Sequence, residues 1–293
     1  MTPALAIDLG GTNLRAALFQ THEIAPDAVP PHLVQQAAPQ NLDAFRQTVE
    51  TLLDQTGAGA LGIAVPGLVE GTVCRWAPNL RWLDDVDFAA LFPDVRVAAG
   101  NDAQFSLLAE AAVGAAQGAD NAILLAIGTG IGSALLADGR IVRGAGGTAV
   151  SFGWACARYD EAGDPQHGWL ERHASGRALD RAAQELGLAD GAALVAAARH
   201  GEDAPRAALE TVGQILGAAL SGAVALTGTD RVVISGGVSS ALDLFGPSLL
   251  HQLQAHLPPH LRMVSLTAGG FGSQAALCGA ALAAYQHSIW EES

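Results

Sequence analysis

Two stretches of this chain are built to one plan. A-L-A-I-D-L-G-G-T-N-L-R-A-A-L-F at 4–19 and A-I-L-L-A-I-G-T-G-I-G-S-A-L-L-A at 122–137 each set an apolar run, a glycine-rich turn and a second apolar run in order. Short apolar runs bounded by glycine read as paired strands, so hairpins are expected over Ala4 to Asp8 with Leu14 to Phe19, and over Ala122 to Ile127 with Ser133 to Leu136. Beyond each hairpin the chain alternates between strand and helix signals. After the first come a run at His32 to Ala37, a helix from Leu42 to Gln55, a buried strand Ala60 to Val65 closed by Pro66-Gly67, a strand Val95 to Ala98 and a helix Ala103 to Ala115. After the second come a short strand at Arg140 to Val142, helices over Leu170 to Leu186, Gly191 to Ala198 and Arg206 to Leu226, a strand Arg231 to Ile234, another helix, a strand Met263 to Leu266 and a helix from Gly272 to about Ser288. The plan is α/β, stated twice, with two lobes joined near residue 116 and a cleft between them where small ligands usually bind.

Charge and residue usage remove several functions. The chain has 15 Lys+Arg against 29 Asp+Glu, a formal net charge of -14, which disfavours a nucleic-acid backbone or an anionic membrane as partner. All of those cations are arginine. Without lysine there is neither a Walker-type P-loop nor a Schiff-base enzyme here. Cys74, Cys156 and Cys278 lie far apart, which supports neither a disulfide framework nor a thiolate zinc site. The N-terminus lacks a basic region ahead of an apolar one, so it is no signal peptide, and later apolar runs such as Ile123 to Ile127 are too short to span a bilayer. A cytoplasmic location is expected by elimination.

The turns themselves carry chemistry. In D-L-G-G-T-N, Asp8 stands at a strand end, Gly10 and Gly11 let backbone amides turn toward an anion, Thr12 and Asn13 add donors, and the acid can hold a divalent ion against phosphate charge. One such turn is also what an ordinary tight hairpin uses. G-T-G-I-G, with Gly128, Thr129 and Gly130, repeats the device at the same point of the second half, and two glycine turns suit the two ends of a polyphosphate. A third turn, V-V-I-S-G-G-V-S, places Gly236 and Gly237 between a strand and a helix, where amides receive a nucleotide's phosphates or sugar. A fourth, T-A-G-G-F-G-S at 267–273, reads as a loop.

D-L-G-G-T-N-L-R-A-A-L, G-I-A-V-P-G-L-V-E-G, A-P-N-L-R-W, N-D-A-Q-F-S-L-L-A-E, A-I-G-T-G-I-G-S-A-L-L-A-D-G-R-I-V-R-G, H-G-W-L-E-R-H-A-S-G-R-A-L and V-I-S-G-G-V-S resemble, in order and over essentially the whole chain, the motifs of the ROK family of repressors, open reading frames and sugar kinases. The resemblance implies two actin/hexokinase-like (ribonuclease H-like) lobes with the active site in the cleft. On that plan residues 1–116 form the N-terminal lobe, completed by a C-terminal helix at 280–293, and residues 117–279 form the other. Asp8, Gly10, Gly11, Thr12 and Asn13, with Gly128, Thr129 and Gly130, would line the phosphates of ATP, with Asp8 holding Mg2+, while Gly236 and Gly237 would border the adenosine. Family repressors carry an additional N-terminal helix-turn-helix, for which the few residues ahead of Asp8 leave no room. A homodimer is the family expectation.

Phosphoryl transfer to a hydroxyl needs positioning, charge neutralisation and an acceptor for the hydroxyl proton. Asn101-Asp102 falls between a strand and a helix, where the local pattern favours a helix N-cap for Asp102. The resemblance assigns the pair differently, with Asp102 as general base and Asn101 as a sugar-hydroxyl ligand. It likewise implies that Glu171 binds a sugar hydroxyl, whereas charge pattern alone offers a helix-surface residue paired with Arg172 or Ser175. Gly67 and Asn79 would edge the same pocket.

One loop departs from the family. Its sugar kinases read A-G-E-x-G-H where this chain has G-A-G-G-T-A-V-S-F-G-W at 144–154, which puts Ser151 in place of the glutamate and Trp154 in place of the histidine. The histidine and closely spaced cysteines of the family's zinc module are also missing, since Cys156 and His167 are too few for a closed zinc site. No zinc is expected, and Trp154, Tyr159 and Trp169 are expected to hold the loop as an aromatic cluster. The expected function is ATP- and magnesium-dependent phosphorylation of a hexose or hexose derivative, with glucose as default. The alternative is a noncatalytic sugar-binding member, which the exchanged loop residues favour and the intact Asp102 opposes.

Overall fold

The computed structural model describes residues 2–164 and 166–290, and the chain divides into two compact units. The first comprises residues 1–118, 134–150 and 273–293, the second 119–133 and 151–272.

In the first unit the opening hairpin is β1 (Ala4–Leu9) and β2 (Asn13–Phe19), followed by β3 (Val34–Ala37) and helix α1 (Leu42–Thr56). α1 starts because the Asn41 side chain accepts the Ala44 amide at 2.9 Å, and it stops at Gly57, whose φ of 63° only glycine adopts easily. Then come β4 (Ala60–Val65), β5 (Leu68–Glu70), β6 (Val73–Trp76), β7 (Val86–Asp87), α2 (Phe88–Leu91), β8 (Arg96–Asn101) and α3 (Asp102–Val113). The five-stranded sheet has the order β3-β2-β1-β4-β8, with β4 parallel to both β1 and β8. Because β1 and β4 are buried along their whole length, they read as unbroken apolar runs rather than alternating ones. One face of the sheet packs Leu5, Ile7 and Ile63 against Phe45, Val49 and Leu52 of α1.

The second sheet repeats this arrangement with β9 (Ala122–Ile127), β10 (Ile131–Ala137), β11 (Arg140–Ile141), β12 (Arg231–Ser235) and β13 (Ser265–Ala268), in the order β11-β10-β9-β12-β13. Here β12 runs parallel to β9 and β13, as β4 does to β1 and β8. The helices of this half are α4 (Trp169–Ala174), α5 (Gly176–Glu185), α6 (Gly191–Arg199), α7 (Asp203–Thr227) and α8 (Leu242–Ala255), and the last helix is α9 (Ala275–Ala284), which belongs to the first unit. α9 lies close enough to α3 that a Cβ on Gly279 would stand 1.8 Å from the Phe105 carbonyl oxygen, so only glycine permits the contact.

Four expectations need correction. The helix expected over Leu170 to Leu186 is two helices, α4 and α5, because Ser175 is extended (φ -84°, ψ 175°) and the Gly176 amide donates to the Gly128 carbonyl at 2.7 Å. The terminal helix stops at Ala284 because Gln286 enters the left-handed region at φ 59°; residues 291–293 of the expected 280–293 segment lie outside the described residues. The three-stranded sheet β5-β6-β7 was not expected at all, its strands being too short for any period to show. Contrary to the expectation that apolar runs are too short to cross a bilayer, α7 has the length and composition to do so. It is instead seated on α8, with Gly213 against the Phe245 carbonyl and Gly217 against the Leu249 carbonyl.

Candidate functional site

The first glycine turn is closed by a hydrogen bond from the Gly10 amide to the Asn13 carbonyl at 2.8 Å, which leaves Gly11, Thr12 and Asn13 exposed. Asn79 packs on Gly11, its Cβ 3.1 Å from where a side chain would begin there. Asp8 lies near the end of β1 at 7% exposure, and the register of the hairpin sets Arg15 directly opposite it. The two form an ion pair. Burial pushes the Asp8 carboxyl up, and the charge and hydrogen bond of Arg15 pull against that. Sequence reasoning missed Arg15, although its place on β2 opposite Asp8 across the turn is a readable signal.

The strand-to-helix junction β8–α3 brings Asn101 and Asp102 beside this turn. The N-cap of α3 is Asn101 and not Asp102: its Oδ1 accepts the amides of Ala103 at 2.9 Å and Gln104 at 3.3 Å. Its Nδ2 donates to the Gly67 carbonyl at 3.1 Å, which ties the Pro66-Gly67 turn to the junction. Asp102 is therefore the first residue inside the helix, with one oxygen accepting the Ala103 amide at 2.8 Å. Asp102 as a residue is partly rather than fully buried, while the protein around its carboxyl withholds the water that would stabilise its charge. Burial first, and the nearby charge of Asp8 second, push the Asp102 carboxyl up to about 7. A carboxylate that takes up a proton near neutrality can accept one from a hydroxyl without strong driving force.

In the second unit, Gly128, Thr129 and Gly130 form the turn between β9 and β10. The Ile131 amide donates to Glu171 Oε2 at 3.1 Å, and a Cβ on Gly130 would stand 2.4 Å from that same oxygen. Glu171 is thus joined to the glycine turn, rather than to Arg172 or Ser175. Gly236, at φ 83°, follows β12 with its backbone against the Ile127 carbonyl, and its own carbonyl accepts the Ser239 amide and hydroxyl. Beside it lies a pocket of about 530 Å³ whose lining includes Thr129, Leu179, Asp180, Val195, Arg199 and Gly237. Arg199 is held there by bonds to the Ser240 carbonyl at 2.6 Å and to Asp243 at 3.1 Å.

Ser151 and Trp154 stand on an exposed loop, Trp154 at 52% exposure. The expected aromatic cluster does not form: Tyr159 is fully exposed, and Trp169 is buried with its ring 4.5 Å from that of His173. Glu161 organises the loop instead. Its carboxylate accepts Trp169 Nε1 at 2.7 Å and His173 Nε2 at 2.9 Å, and lies 3.2 Å from the Arg172 guanidinium. Those three donors belong to α4, the helix that carries Glu171. The His173 and Trp169 bonds hold the Glu161 carboxyl below its usual range. No sequence signal singled out Glu161, because its partners become neighbours only when the loop folds back. Cys156 donates its thiol to the Arg158 carbonyl, and His167 lies 3.9 Å from Asp164.

The model of the ROK family matches residues 4–287. The chain is 28% identical to the N-acetylgalactosamine kinase AgaK of Shewanella sp. (strain ANA-3), covering 94% of each. It is 31% identical to the kanosamine kinase of Amycolatopsis mediterranei (strain S699), over 87% of this chain and 89% of that one. Its fold superposes with a TM-score of 0.78 on the crystal structure of a ROK family glucokinase from Streptomyces griseus in complex with glucose and AMPPNP, at 24% identity over 97% of this chain and 99% of that one.

Proposed function

This chain belongs to the ROK family, and from that premise we propose that it transfers the γ-phosphoryl group of ATP to a hydroxyl of a hexose or hexose derivative. The observation that carries the reading is Asp102, a partly buried residue at the N-terminus of α3 whose carboxyl is raised to about 7 beside a second, arginine-held carboxylate at a glycine turn. Asp102 accepts the proton of the sugar hydroxyl as its oxygen attacks phosphorus, and the Asn101 cap holds that carboxylate at the mouth of α3. Asp8 is the residue to hold magnesium. Among the described residues no group of three or more His, Cys, Asp or Glu side chains is arranged around a common point. A single carboxylate suits Mg2+, which is held largely by substrate phosphates and water. When bound, the ion neutralises phosphate charge. Arg15 fixes the Asp8 carboxylate in orientation.

The amides and side chains of Gly10, Gly11, Thr12 and Asn13 serve the transferred phosphate. Gly128, Thr129 and Gly130 serve the remaining phosphates. The 530 Å³ pocket lined by Gly237, next to Gly236, is of a size to take the nucleoside. Asn101, Glu171, Asn79, Gly67, Ser151 and Trp154 are assigned to the sugar. The relatives' named substrates differ in their amino and acyl groups, and Ser151 and Trp154 are the positions where this chain sets its own choice.

The test measures ADP release from ATP and magnesium with glucose, kanosamine, N-acetylgalactosamine and N-acetylmannosamine. At least one sugar should raise ADP release well above an Asp102→Ala control. Sugar binding without any such rise would instead support a noncatalytic sugar-binding member.

A further inference from the structure

We propose that Trp290, near the end of the chain, is a positioning residue for the reaction, acting as the packing joint that sets the Asn101-Asp102 junction and the start of the 144–154 loop against each other. The proposal rests on the assignment of Asp102 as base. Its observations all lie within the first unit. After α9 ends, Gln286 turns the chain through the left-handed region, at a strain that a non-glycine residue does not take up without compensation. Past the turn, residues 287–290 reach β11, where the Ile141 amide donates to the Ile289 carbonyl at 3.1 Å. Trp290 is then buried, at 8% exposure.

Three segments meet at its indole. The Phe105 ring, one turn into α3 from Asp102, packs edge-on with centroids 4.6 Å apart. The backbone of Gly100, directly before Asn101, comes so near that a Cβ there would lie 2.8 Å from the indole and 2.7 Å from the Phe105 ring. On the other side the Arg143 guanidinium lies 4.0 Å from the ring centroid and donates to the Trp290 carbonyl at 2.8 Å. Arg143 is the residue before Gly144, where the glycine loop begins. Gln104 adds a second tie between the two segments, its amide donating to the Val142 carbonyl at 3.3 Å. A cation stacked on an indole and bonded to its carbonyl is fixed in both distance and angle, so the ring sets the separation of the base from the loop rather than merely filling space.

Misplacing a reacting group by about 1 Å costs up to about 100-fold in rate. Trp290→Ala is therefore expected to lower kcat at least about tenfold with KM for ATP within about twofold, and Trp290→Phe to restore most of the loss. Phe92→Leu, a core substitution of the same unit away from this joint, supplies the control for lost stability alone. Amide hydrogen exchange of the ligand-free proteins gives a second readout, with residues 100–104 expected to exchange faster in Trp290→Ala and unchanged in Phe92→Leu. Arg143→Gln keeps the ring and should speed exchange over 143–150 only. Kinetics use ATP, magnesium and whichever of the four sugars above turns over fastest. The proposal is overturned if kcat of Trp290→Ala is within about twofold of the Phe92→Leu value while both are folded, or if exchange at 100–104 is unchanged. Where Trp290→Ala does not fold, Arg143→Gln decides, and wild-type exchange over 143–150 in that variant overturns the proposal. If Asp102→Asn keeps full activity, the base assignment falls by itself, because the exchange result does not depend on it.

Discussion

The β1 and β8 strand ends of the first unit and the 151–168 loop of the second are assembled by opposite means. Asp8 and Asn101 are buried, and each is tied by register or cap to a fixed partner: Asp8 to the cross-strand Arg15, Asn101 to two helix amides and the Gly67 carbonyl. Moving either one means moving a strand. Ser151, Trp154 and Tyr159 are exposed, and among the described residues the loop that bears them is tied to α4 through the Glu161 carboxylate. The difference teaches where each task is kept. Under the proposed function, proton and phosphate chemistry, which tolerates little displacement, falls to buried strand ends, and the choice of sugar falls to positions where side chains are exchanged at small cost to the fold.

The sharpest break of the comparison is at the base. Asp102→Asn should lower kcat by about 10² to 10⁴ with sugar KM little changed, measured by coupled ADP release. Next is the ion pair that the buried side depends on. Arg15→Leu leaves the Asp8 carboxylate buried beside Asp102 without its partner, and a loss of about 2–4 kcal/mol is expected in urea unfolding, less than for a fully buried pair because Arg15 keeps some exposure. Trp154→Ala tests the loop: the ranking of the four sugars should change by about tenfold in kcat/KM, the scale of one pocket contact, while the thermal midpoint stays within about 1 °C. An unchanged ranking would remove Trp154 from recognition.

The smallest effect is in pH. The Asp102 carboxyl releases its proton near 3.8 when unfolded and near 7 when folded. Between those values the folded state holds the extra proton, so this residue's contribution to stability falls as pH rises through the interval and is constant above it. For the ligand-free protein, the thermal midpoint of Asp102→Asn should match wild type at about pH 4 and exceed it at about pH 8. A gain that is the same at both pH values would show that Asp102 is not held protonated by its surroundings.

Much of the first unit was legible because its signals are local. The strand Ala60–Val65 and the start of α1 at Leu42 appear where the apolar run and the helical pattern place them. Asp102 was found as a candidate site residue, but its local reading as a cap was wrong, since the cap is Asn101. The loop was least legible. Its aromatic residues suggested a cluster, and yet Trp169 packs on His173, one helical turn on, and donates to Glu161, a loop partner that no spacing in the sequence announces.

By itself the sequence determined the doubled α/β plan, the glycine turns and the absence of lysine chemistry, because strand periodicity and residue inventory are properties of neighbours along the chain. Only the tertiary structure decided that the 170–186 helix breaks at Ser175 and that Glu171 binds the Ile131 amide. It also decided that Asp102 is raised to about 7, and that residues 134–150 join the first unit. Each of these depends on groups far apart in the chain being brought within hydrogen-bonding or screening distance, where burial changes the cost of a charge.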